Sequence, residues 1–334
     1  MALPLDIREM MSSGQKYRAE REKPVRMAVF VDAEAPEAAV KALRTALLPQ
    51  TGNASLHIEA VVPGDVLDVD SSADVVVALT GPGNTVAPSL ARTREHFIPT
   101  VALALEFDRE AVARRLAQPL LDTLVDEDPA QLIEKLGAWL GEKLSAKRVA
   151  LAANFAFVRR AVADEAVKST AFQNAVIGGV AFIPGADMPL MTANQAKMVM
   201  QIAAAYGEPL GAERVKELAT VVGGAFVLRT IARQFVGLLP GFGWALKAGI
   251  GYSGTLAMGY AAIEYFEGGG DVRGLASKLK EARDHAIEAA STRIKRGQPA
   301  EIIPADAYVV IDSDSEPAGE LPAAPPSDTA ADAL

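Results

Sequence analysis

The chain has no cysteine among its 334 residues and only three histidines. A chain without thiols has no disulfide, no thiolate metal site and no cysteine nucleophile, a composition that suits a reducing compartment. His57, His96 and His285 are dispersed, so neither a His-Glu-x-x-His helix nor a comparable ligand spacing arises. There is no Gly-x-Ser-x-Gly elbow for a serine nucleophile. Basic residues are missing from one region altogether: after Arg296 there is no Lys or Arg, while eight carboxylates follow, from Glu301 to Asp332. The net charge of −9 therefore leaves only −1 for residues 1–296. Nothing supplies the basic surface that nucleic-acid binding needs. The start, MALPLDIREMM, has acids and no long apolar core, so it is not read as a secretory signal.

What is present falls into four parts. Residues 1–23 mix Leu, Ile and Met with charge and read as an arm or short helix. Residues 24–146 alternate strands and helices. Strands are expected at Val25–Val31, Leu56–Val62, Asp74–Leu79 and Thr100–Leu105, with a short fifth at Leu120–Val125. Helices are expected at Pro36–Leu48, Asn84–Phe97, Arg109–Leu116 and Pro129–Leu144. The run DVVVAL at Asp74–Leu79 is apolar on both faces, as a central parallel strand requires. This alternation predicts an α/β fold with a parallel sheet covered on both sides, closing before Lys147, so that residues 1–145 are expected to fold alone. Residues 147–296 read as an apolar, Gly/Ala-rich helical domain, and residues 297–334 as an acidic tail. From Asp312 that tail is Pro/Ala/Asp-rich and expected to be disordered.

A phosphate-binding P-loop follows the first strand with GxxxxGK[ST]. Here that strand runs into Asp32-Ala33-Glu34-Ala35-Pro36-Glu37, with no glycine, no Lys-Ser/Thr pair and three carboxylates that would repel a phosphate. Gly81-Pro82-Gly83-Asn84-Thr85 lies between a strand and a helix, where α/β sheets place ligands. It is also ordinary turn chemistry. Val61-Val62-Pro63-Gly64 stands where Era-like GTPases have Asp-Thr-Pro-Gly, and Leu105-Glu106-Phe107-Asp108 where they have Asn-Lys-x-Asp. In the order of its elements, residues 24–145 resemble an Era-like GTPase whose motifs are lost. The resemblance implies a GTPase-like fold without nucleotide and hence no cofactor; the alternative is an unrelated doubly wound domain.

The longest apolar stretch is Phe172–Phe266. A helix is expected from Asp187 to about Tyr206, where Gly207 and Pro209 stop it. Asn194, Lys197 and Gln201 are spaced i, i+3, i+7 along it and share one face, facing either a partner or solvent. A second helix is expected from Gly211 to Pro240, carrying Arg229 and Arg233. A third is expected from Trp244 to Phe266, with small residues that let backbones approach closely. Leu275–Lys295 reads as a last helix. Ile183-Pro184-Gly185-Ala186-Asp187, Thr192–Lys197, Tyr206-Gly207, Leu239-Pro240-Gly241-Phe242-Gly243 and Ala262–Phe266 together resemble the YcjF-like domain of unknown function 697. In bacteria that domain often follows an Era-like GTPase domain, and its members are commonly described as membrane-associated. The family carries no established chemistry, so no catalytic residue comes with the resemblance.

Membrane insertion is marginal by composition. Ala248–Ile263 is uncharged but covers only about 24 Å, against a hydrocarbon core of roughly 30 Å. Thr220–Leu239 is long enough but holds Arg229 and Arg233, each costing about 2.5–3.5 kcal/mol at the bilayer centre. The reading that results is a non-catalytic adaptor, associated with the cytoplasmic side of a membrane or with itself. Its expected partners are a membrane surface, a second copy or another protein, and Asn194, Lys197, Gln201, Arg229 and Arg233 are its candidate interaction residues. The alternatives are an atypical nucleotide hydrolase and a soluble cytoplasmic interaction module.

Overall fold

A computed structural model describes residues 7–65, 69–83, 85–86, 90, 93, 97–106, 108–116, 121–180, 187–211, 213 and 243–269. These belong to one compact unit, Met1–Ile302; the remainder, Ile303–Leu334, and with it the acidic tail, lies outside the described residues. The elements are α1 (Ile7–Arg21), β1 (Val25–Asp32), α2 (Glu37–Ala46), β2 (Ala54–Val61), β3 (Val75–Leu79), β4 (Thr100–Leu105), α3 (Arg109–Leu116), β5 (Asp122–Asp126), α4 (Pro129–Lys143), α5 (Arg148–Asn154), α6 (Ala156–Val180), α7 (Asp187–Ala205) and α8 (Gly243–Glu267). A single 3₁₀ turn, Ser145–Lys147, joins α4 to α5. The helices expected over Gly211–Pro240 and Leu275–Lys295, and Arg229 and Arg233 with them, lie outside the described residues.

All five strands are parallel, in the order β2-β1-β3-β4-β5. Because side chains alternate across each strand, the sheet makes two cores. Met27, Val29, Val77 and Leu103 face α2 and α4, while Phe30, Val76, Ala78 and Ala102 face Val112 and Leu116 of α3. β3 is buried at every position, as its run of valines anticipates. The expected α/β class is what the N-terminal part forms, and the C-terminal part is helical.

The expected closure before Lys147 is not where the core ends. Leu132, Leu136, Trp139 and Leu140 of α4 share one buried cluster with Leu151 of α5, Phe155, and Val158 and Val162 of α6. Lys147 itself is tied to the sheet layer, donating to both carboxylate oxygens of Asp74 at 2.7 and 2.8 Å and to the carbonyl of Pro24 at 2.7 Å. The N-terminal residues belong to the helical part as well: α1 packs on α7 and α5, and Met10 is buried there.

α6 is the centre of the bundle, packing against α8, α7, α4 and α5. Its contact with α8 depends on missing side chains. A Cβ at Gly251 would lie 2.9 Å from the carbonyl oxygen of Asn174, and one at Gly259 would lie 2.6 Å from Cγ1 of Val167. Eight residues apart, these glycines leave a channel along α8 into which α6 fits.

Candidate functional site

In a sheet of order 2-1-3-4-5, ligands bind outside the carboxyl ends of the strands, in the crevice between β1 and β3 where the winding reverses. Three segments meet there: the end of β1 at Asp32, the turn Ala33–Pro36, and the loop from Thr80 to Val86. Asp32 is buried, with 1% of its surface exposed. Its carboxylate accepts from the backbone N–H of Glu34 at 2.9 Å, the N–H of Thr85 at 2.8 Å and the hydroxyl of Thr85 at 3.2 Å. Both donors of Thr85 are thus taken by the chain's own carboxylate. Glu34 lies against the same loop. A Cβ at Gly81 would lie 2.7 Å from the backbone carbon of Glu34 and 2.9 Å from its oxygen, and one at Gly83 would collide with the Glu34 carboxylate. Gly81 and Gly83 therefore leave room for Glu34.

The two other segments that resemble nucleotide motifs are likewise occupied by local structure. The N–H of Val62 donates to Asp65 at 3.0 Å, and Gly64 turns the chain at φ +96°. Asp108 caps α3, accepting from the N–H groups of Glu110 and Ala111 at 2.9 and 3.0 Å. Its carboxylate is spent on a helix end, where a base-reading group would have to face a ligand. His57, on the edge strand β2, is exposed and stands 3.4 Å from Glu59. His96 and His285 lie outside the described residues. Among the described residues no group of three or more His, Cys, Asp or Glu is placed to hold a metal ion.

The second polar centre lies inside the bundle. Asn174 of α6, Gln195 of α7 and Thr255 of α8 are all buried. The amide of Asn174 donates to the Thr255 hydroxyl at 3.0 Å and to the Met191 carbonyl at 3.3 Å; Gln195 donates to the same hydroxyl at 2.9 Å. Thr255 in turn donates to the carbonyl of Gly251 at 2.7 Å. One donor and two lone pairs are all a hydroxyl has, so Thr255 is saturated. Of the candidate residues on α7, Asn194 reaches into this hub, donating to the Asn174 side-chain oxygen at 3.1 Å, while Lys197 and Gln201 are half-buried. The hub went unnoticed in the sequence, where its signal is isolated Asn and Thr side chains inside Gly/Ala-rich helices.

A third, ionic cluster closes the base of the bundle. Arg160 donates to Glu267 at 2.8 Å, Tyr206 donates to the other oxygen of Glu267 at 2.7 Å, and Arg160 lies 3.5 Å from Asp164. Burial and the bond to Glu267 push the Tyr206 phenol far above its ordinary range. Burial likewise raises the Asp164 carboxyl, although Arg160 and Lys168 pull it the other way. Asp164 and Arg160 line a cavity of about 430 Å³ that also touches Glu134, Arg148, Phe157 and Lys168. No helix among the described residues is long and apolar enough to cross a membrane.

Residues 145–292 match the family model described as "Domain of unknown function (DUF697)". No curated protein matches the chain, and no solved structure matches it. The matched region begins at the 3₁₀ turn and includes α5, α6, α7 and α8. Within it, sequence pieces far apart in the chain come together. Tyr206 stacks on Phe266 with centroids 6.3 Å apart, and Gly207 at φ +90° ends α7 with the N–H of Glu208 bonded back to Ala203. The Thr192–Lys197 piece supplies Asn194 and Gln195 to the hub. These signature residues cap, stack and bond within the bundle.

Proposed function

We propose that this chain is a non-catalytic adaptor: a GTPase-like α/β layer that holds no nucleotide, joined to a helical domain that associates with the cytoplasmic face of a membrane or with other protein. The observation that carries the reading is the crevice between β1 and β3. There Asp32 takes the N–H and hydroxyl of Thr85, and Glu34 fills the space beside Gly81 and Gly83. A triphosphate entering there would displace a buried, hydrogen-bonded carboxylate and meet a second one, with no lysine in the Ala33–Pro36 turn to offset the charge. The helical half supports the same role. At its centre the buried amides of Asn174 and Gln195 and the hydroxyl of Thr255 bond one another, an arrangement suited to holding helices in register.

Two measurements test the reading. Calorimetry of the full chain with GTP or ATP and magnesium should show no heat of binding; micromolar affinity for either nucleotide would overturn the nucleotide-free assignment. Fractionation of cells should then place the chain in the membrane pellet or in a large protein complex. Recovery wholly as a soluble monomer would leave the adaptor role without an attachment.

A further inference from the structure

We infer that the chain pairs with a second copy of itself through the outer edge of β2, in an antiparallel register centred on Ile58. This goes beyond the adaptor reading, because it puts a self-association surface on the α/β layer and owes nothing to the helical domain. Among the described residues β2 ends the sheet, pairing with β1. Two hydrogen bonds set which of its backbone groups are free. Val25 N–H donates to Asn53 O, and Ala33 N–H to Val61 O, both at 2.9 Å. In a regular parallel ladder between these points, the odd-numbered residues of β2 turn their N–H and C=O toward β1. The even-numbered residues, Ala54, Leu56, Ile58 and Ala60, turn theirs outward.

An antiparallel partner bonds those outward groups only if even residues face even residues. With the two-fold axis at Ile58, Ile58 faces its own mate and Leu56 faces Ala60 of the second copy, both as hydrogen-bonded pairs. His57 then faces Glu59 of the second copy as a non-hydrogen-bonded pair, the kind in which opposing side chains approach most closely. Within one copy His57 and Glu59 already lie 3.4 Å apart, so pairing gathers the two contacts into one cluster in which each histidine also meets the other copy's carboxylate. Ile58 is 55% exposed although it is apolar and lies in register with buried Val29, on the sheet face that packs α2. Pairing would cover it with its own mate. The strand ASLHIEAV carries one carboxylate, Glu59, and no lysine, proline or glycine to keep another edge away. The product would be one continuous ten-stranded sheet with isologous contacts.

The test is sedimentation equilibrium on the full chain and on variants of residues exposed at that edge. The wild type should dimerise. His57→Glu sets two carboxylates opposite each other at both symmetric positions and should weaken dimerisation by roughly tenfold. Glu59→Lys added to His57→Glu restores opposite charges across the axis and should recover it. Ile58→Lys, an edge charge of the kind that blocks strand addition, should give monomer. Circular dichroism and thermal melts matching the wild type would show that the variants fold; His57 is exposed, so its substitution keeps the test usable if Ile58→Lys misfolds. A monomeric wild type at a few hundred micromolar overturns the proposal. So does a dimer indifferent to all three changes, which would instead place self-association in the helical half and leave the adaptor reading standing.

Discussion

The sheet layer and the helical bundle each bury polar side chains, and they do it in opposite ways. In the sheet layer, beside buried Thr80, Thr93 and Thr123, there is a buried carboxylate, Asp32, at the open end of a crevice, and backbone donors gather around it. In the bundle the buried side chains of Asn174, Gln195 and Thr255 are neutral and meet at one hydroxyl. A charge recruits main-chain dipoles and so shapes a loop. Amides and hydroxyls need partners of their own kind and so fix which helix faces which. The first device orders a loop; the second chooses a packing.

The comparison can be broken most severely by separating the two regions. A fragment of residues 1–145 removes Leu151, Phe155, Val158 and Val162 from the cluster that covers α4. It should show no cooperative thermal transition, whereas the alternation of strands and helices alone predicts one. Phe155→Ala in the full chain is the milder form of the same cut, with an expected loss of about 3–5 kcal/mol in denaturant titration.

Next come the two polar devices. Asp32→Ala leaves the N–H of Thr85 without its acceptor and should cost about 1–3 kcal/mol, with faster hydrogen exchange confined to the Thr80–Val86 loop. Asn174→Leu strips the hub of its central amide and should cost a similar amount, but the exchange should quicken across α7 and α8 together. If both variants loosen the same residues, the distinction between shaping a loop and choosing a packing fails.

The smallest effect sharpens the comparison where the regions meet. Burial raises the Asp164 carboxyl, with Arg160 and Lys168 opposing. A carboxyl raised on folding opposes folding while it is ionised, above its folded pKa, and ceases to do so as the pH falls through that value. Asp164→Asn should therefore stabilise the chain at neutral pH by less than about 1 kcal/mol. The gain over wild type should shrink in acid, which melts at a series of pH values would show.

Sequence periodicity served the sheet better than the bundle, for a physical reason. Val75–Leu79 and Thr100–Leu105 are runs that only a doubly covered strand accommodates, and the helix expected at Arg109–Leu116 is the one observed. α7 and α8 were also legible, because Gly207 and the Gly/Pro breaks punctuate them. α6 was not: its first half, AFVRRAVADEAVKST, scatters charge around an apolar face, and nothing in that pattern marks it as central. The crevice was legible as chemistry, since three carboxylates stand in place of a glycine loop. Its closure was not, because the bond from Thr85 to Asp32 spans 53 residues. Asn194 stood out as part of a polar face, but whether that face meets solvent or Asn174 depends on the approach of α6, which Gly251 allows.

α6 also has a mechanical meaning. Its 25 residues extend over about 37 Å as one uninterrupted rod. Its first turns, at Val158 and Val162, are embedded in the layer beneath the sheet, and α8 lies along it from Arg160 to Asn174. A rod held along its length transmits displacement. A tilt of only about 5° about Val158 moves Asn174, about 24 Å further along, by about 2 Å, enough to part its 3.0 Å bond to Thr255. Displacement of the bundle is therefore felt under the sheet through one unbroken helix.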